Sequence, residues 1–280
     1  MNSLHNRIAL HTWTLDSSLL EDALRIARSA GYNAVELRHA DFMHCRQAGM
    51  DEQAMVALVR DAGLKVAVVG TENGVLFDSG AELNRLLGSL RYVCEKAIAL
   101  DCGVIMLPPG VFRSGVPATL PVENLAICAG ITAGYGLQLA LEFNSRHPTV
   151  NTLESGLALV DAVRMKNCGL LIDTYHLHRS GGSAASFAKL PVDQIVTVQF
   201  SDAPPGPPSM TPVAIDRLPP GKGTVPFVEI FKTLMALDYR GYMSYEAPNP
   251  DQWSRPADVV ALEGLERVRA LITQAEQPQK

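Results

Sequence analysis

The chain has 280 residues, enough to bury a sizeable core as one large α/β domain or two small ones. Apolar residues make up 47% and charged residues 19%, and the net charge of −5 argues against a nucleic-acid-binding surface. No apolar run approaches the roughly 18 residues of a membrane span, and the start MNSLHNRIALHTW has no signal-peptide pattern. A cytoplasmic protein with neither nucleic-acid nor membrane partners is expected. The five cysteines show no C-x-x-C spacing, so neither a disulfide framework nor a zinc-thiolate site is expected.

Short runs rich in Val, Ile and Leu alternate with longer amphipathic ones. A strand over Ile8–Trp13 leads to a helix over Leu19–Ala30, then Asn33–Leu37 to Asp51–Ala62. Lys65–Gly70 precedes Ala81–Leu100, and Gly103–Leu107 precedes Pro121–Ala133. Gln138–Phe143 pairs with Thr152–Met165, and Gly169–Asp173 with a short helix over Ser183–Ala188. Ile195–Phe200 and Pro226–Leu237 follow, then Gly241–Glu246 and Pro256–Thr273. Continuous apolar strands bounded by Gly, Pro or Asp are what a buried parallel sheet requires. Eight strand–helix units predict an α/β fold, a (β/α)8 TIM barrel, as a single domain over 1–280 with a frayed tail over 270–280. The absence of G-x-G-x-x-G after the first strand disfavours an open dinucleotide-binding sheet. Residues 202–223, with seven prolines, form an unusually long loop after the seventh strand.

Barrel chemistry sits at the C-terminal strand ends. Strand 5 ends in Glu142 and strand 6 in Asp173, which could also simply cap the following helix. Strand 7 carries Gln199 near its end, and strand 8 ends in Glu246. Three carboxylates converging over one axis need raised pKa values or a shared cation. An all-oxygen set favours Mn2+ or Mg2+, with Zn2+ or Co2+ as alternatives. "RSGGS" at 179–183 could cradle a phosphate, although a glycine turn explains it as well; "PPGKGT" fails as a phosphate loop because Asp216 stands where a glycine is needed.

The ordered fragments "AGYNAVELR", "LEFN", "DTYH", "VQFSDAP", "RLPPGKG" and "YEAP" resemble the xylose isomerase-like TIM-barrel superfamily of sugar isomerases, epimerases and related dehydratases. The resemblance spans nearly the whole chain. It implies one divalent ion held by Glu142, Asp173, Gln199 and Glu246, with Gln199 departing from the usual histidine. It also implies Glu142, Glu246 and His176 as catalytic residues, with Arg217 and His176 on the substrate. Glu36 resembles a residue that organises the barrel mouth, and Lys222 replaces the usual acid of the Pro-Gly turn. The implied reaction removes a proton next to a carbonyl through a metal-stabilised enediolate, on a keto sugar, cyclitol or keto acid. A dehydratase of the dehydroshikimate or inosose type is the alternative, since some of those enzymes are similar in having the glutamine. A non-catalytic sugar-binding barrel is a further one, whereas a DNA-repair endonuclease would need more histidine ligands and a basic groove. Members often assemble as homo-oligomers. His11, His39 and His147 lie near strand ends and are candidates to line the pocket, with a loop or core role the first expectation for each.

Overall fold

The computed structural model describes residues 4–209, 211 and 213–278. Strands β1 (Ile8–His11), β2 (Ala34–Arg38), β3 (Lys65–Gly70) and β4 (Val104–Leu107) form the first half of a closed barrel. Strands β5 (Gln138–Glu142), β6 (Cys168–Asp173), β7 (Ile195–Phe200) and β8 (Met243–Tyr245) form the second half. Each strand pairs in parallel with its neighbours in sequence, and β8 closes on β1 through Leu10 opposite Tyr245. The expected TIM barrel is the observed fold.

Strand alternation sorts the residues into two layers. Ala9, Ala34, Val68, Met106, Ala140 and Leu171 meet in a cluster of their own, the barrel interior. Residues between them, such as Ile8, Leu10, Val35, Leu139 and Leu170, pack outward in the main core shared with the helices. Continuing the inward set by two residues gives His11, Glu36, Glu142 and Asp173, so the same register that fills the interior aims these side chains at the mouth. Glu246 follows β8 directly, and its N–H extends the ladder to Phe200 O at 3.1 Å.

The long helices lie close to their expected positions, from Leu20–Ala30 to Phe227–Ala236. The last one runs from Ala257 to Glu276. Ile272 and Ala275 are buried on it and hold the final turns to the core. Gln279 and Lys280 lie outside the described residues. Short helices at His39–Gln47, Thr174–Arg179 and Pro250–Trp253 were not expected. No helix among the described residues is long and apolar enough to cross a membrane.

Candidate active site

The C-terminal mouth of the barrel opens into a cavity of about 830 Å³. Glu142, His176, Arg217 and Glu246 line it, together with Arg38, Arg146 and Trp13, which sequence reasoning did not single out. His11, His39 and His147 line it as well. His147 is also a loop brace, since its Nδ1 accepts the Val150 N–H at 2.9 Å. Asp173, Gln199 and Glu36 lie beneath, each fully buried.

Asp173 does both jobs that its position suggests. Its Oδ1 accepts the Tyr175 N–H at 2.8 Å, capping the helix that starts at Thr174. Its Oδ2 lies 2.6 Å from Arg217 Nη1. The same Nη1 donates to Glu246 Oε2 at 2.7 Å, while Nη2 lies 3.1 Å from His176 Nε2. A guanidinium only donates, so the Arg217 contact asks His176 Nε2 to accept, while Nδ1 meets both the Ser145 N–H at 3.3 Å and Ser145 Oγ at 2.9 Å. His11 Nδ1 accepts the Trp13 N–H at 3.1 Å, so Nε2–H faces Glu246 Oε1 at 3.4 Å.

Burial dominates the electrostatics. It pushes the Glu246 carboxyl up to about 8, against the opposing pull of Arg217. It raises Glu36 to about 7, and raises Glu142 well above the carboxylate range with help from the neighbouring charges of Glu246 and Asp173. Burial also drives His176 down to about 3 and keeps it neutral. Desolvation works against the charge on Arg217, yet Asp173, Glu246 and Glu142 outweigh it and hold the guanidinium above its usual range.

The donor set fits a divalent ion. Glu142, Asp173 and His176 can bring one ligand atom each within 4.8 Å of one another. Gln199 Nε2 donates to Glu36 Oε1 at 2.9 Å, and Gln199 Oε1 is buried with no hydrogen-bond partner among the described residues. A buried amide oxygen left unpaired is costly unless something polar or cationic meets it. Arg217, seated between two carboxylates, shows that the cluster stabilises positive charge.

The turn at 179–183 is not a cradle. Arg179 donates to Gly206 O and Pro204 O, Gly181 takes φ 82°, and the following helix has four residues. Lys222 is exposed and apart from the cluster. The long loop after β7 is fastened by Arg146, which donates to Ser209 O at 3.0 Å, and by Tyr175, which donates to Asp216 Oδ1 at 2.7 Å.

Residues 24–271 match the family described as xylose isomerase-like TIM barrel. The chain belongs to that family. It is 24% identical to an inosose isomerase of Halalkalibacterium halodurans over 88% of both chains. It is 26% identical to a 3-dehydroshikimate dehydratase of Pseudomonas aeruginosa over 89% of this chain but 39% of that protein. Among solved structures, the IOLI protein with a bound zinc atom superposes with a TM-score of 0.87 at 19% identity, covering 97% of this chain and 100% of that one.

Proposed function

We propose that this chain is a divalent-metal-dependent isomerase or epimerase of a polyhydroxy ketone, a keto sugar or cyclitol, working by proton removal next to the carbonyl. The observation that carries this reading is the pairing of buried Asp173 and Glu246 with one guanidinium nitrogen, with Glu142 adding to the field there and Gln199, the register partner of Asp173, left with an oxygen unpaired among the described residues. The inosose isomerase relative supports the substrate class. Glu142, Asp173, Gln199 and Glu246 would hold the ion. Four oxygen donors favour Mn2+ or Mg2+, although the IOLI structure carries zinc. When bound, the ion supplies a Lewis acid that draws charge from a carbonyl oxygen as the adjacent carbon loses its proton.

The protein's own groups do the rest. Glu142 ends β5 and Glu246 follows β8, so the two approach a substrate from different sides. Burial raises both carboxyls above the usual carboxylate range, and both face the cavity where a substrate proton would be exchanged. Glu246 Oε1 lies 3.4 Å from His11 Nε2, which makes no hydrogen bond among the described residues and is free to turn toward the carboxylate once the proton leaves. His176 stays neutral, and with Arg217 it positions a substrate oxygen. Proton return to the opposite face is epimerisation, and return to the neighbouring carbon is isomerisation. The five cysteines are buried free thiols, which fits a reducing, cytoplasmic setting.

One observation favours a second reading, a dehydratase of a cyclic keto acid. Glutamine stands at position 199, and a dehydroshikimate dehydratase is among the relatives. The test is to incubate Mn2+-loaded and chelated protein with inososes, ketoses and dehydroshikimate and to follow products by NMR. A rearranged or epimerised ketone made only by the loaded protein, and not by Glu142→Gln, supports the main reading. Loss of water from dehydroshikimate replaces it with the second.

A further inference from the structure

The side-chain amide of Gln199 has two faces of opposite character, and its use as a ligand depends on which one looks into the barrel mouth. An amide nitrogen turned toward a cation repels it; only the oxygen can coordinate. Nothing in the amide's own shape decides between the two orientations, because they have nearly the same volume. The decision comes from the neighbours. Gln199 Nε2 donates to Glu36 Oε1 at 2.9 Å, from β7 across the barrel interior to β2. Both residues are fully buried, so no solvent competes for the bond. Turning the amide over would break the hydrogen bond from Gln199 Nε2 and, with Glu36 ionised, set two acceptor oxygens against each other. Gln199 Oε1, on the other side of the amide, has no hydrogen-bond partner among the described residues.

We propose that Glu36 is a positioning residue that locks the Gln199 amide with its oxygen toward the cation site. This rests on the reading of that site given above. It assigns Glu36 a task beyond filling the barrel: a ligand that is symmetric in shape becomes asymmetric in function only while an acceptor stands behind it. Second partners of this kind typically change metal affinity about 10–100-fold when removed.

The inference separates orientation from charge and from packing. Glu36→Gln still presents an oxygen to Gln199 Nε2, and its own nitrogen can turn toward Ser244, which faces Glu36 as His11 Nε2 also does. Glu36→Leu keeps similar volume but offers no acceptor. The experiment is titration of the chelated full chain with Mn2+, reading free ion by EPR, for wild type, Glu36→Leu, Glu36→Gln, Gln199→Leu and the Glu36→Leu/Gln199→Leu double variant. Glu36→Met replaces the leucine variant if that one does not fold. The expected result is a loss of about 10–100-fold for Glu36→Leu, affinity close to wild type for Glu36→Gln, and no added loss from Glu36→Leu once Gln199 is leucine. A merely structural role would give the same loss in either background. Unchanged affinity in Glu36→Leu, equal losses in Glu36→Leu and Glu36→Gln, or a loss that persists without Gln199 would overturn the assignment. Failure of the wild-type chain to bind Mn2+ would instead bring down the cation site itself, and this inference with it.

Discussion

Replacing Arg217 by methionine removes the one positive group that touches both Asp173 and Glu246. The guanidinium contacts these two buried oxygens at 2.6 and 2.7 Å, with Glu142 also drawing on its charge. Breaking a buried ion pair by deleting one partner costs about 3–5 kcal/mol, because the remaining charges are left without compensation. At about 2 °C per kcal/mol for a chain of this size, chelated Arg217→Met should melt roughly 6–10 °C below chelated wild type. The gap should be widest above about pH 8, where Glu246 ionises, and narrower near pH 6, where a proton replaces the lost charge. Saturating Mn2+ should shrink it, because the ion then compensates the carboxylates. Differential scanning calorimetry with and without chelator reads all of this. Equal melting of the two chelated proteins, or a gap untouched by Mn2+, would refute the claim that this cluster is organised around a cation.

Metal uptake should displace protons, since Glu246 holds its proton to about 8 and an ion requires the carboxylate. Mn2+ affinity should therefore rise from about pH 6 to about pH 8, and calorimetric titration in buffers of different ionisation enthalpy should show proton release. His176 stays neutral down to about 3 when folded, against an ordinary value of 6.5. The unfolded chain then binds more protons, so stability is lost as pH falls from about 6.5 toward 3; denaturant melts of His176→Gln should show a shallower acid loss than wild type. Gly264 sits in the last helix against Tyr245, where an added Cβ would stand 2.2 Å from Cε1 of a fully buried ring. Gly264→Ala should cost about 1–3 kcal/mol by overpacking, measured as a lowered urea midpoint.

The strands and the residues at their ends were legible because both follow from period-two alternation and strand length. Glu142, Asp173, Gln199 and Glu246 could be placed on one layer from their own strands alone. Arg217 was legible only through a motif, for it arrives at the cluster from a long loop whose path is set by Arg146, Tyr175 and Asp216, far apart in sequence. The helix His39–Gln47 carries no apolar stripe. It is held by Asp41, whose Oδ2 meets the Arg38 N–H at 2.7 Å and the Thr12 hydroxyl at 2.5 Å. Thr174–Arg179 is too short for periodicity to show. His11 and His147 were expected first in the core or loops, with the pocket wall as the other place; both are buried, and both wall the cavity.

The central claim is a cation bound by oxygens from four adjacent strands, and anomalous diffraction from Mn2+-soaked crystals addresses it most directly. The account predicts one strong manganese peak coordinated by Glu142, Asp173, Gln199 Oε1 and Glu246, with Arg217 no longer bridging Asp173 and Glu246. A fully occupied soak with no peak among those side chains, or with Arg217 still bridging the two carboxylates, would contradict it.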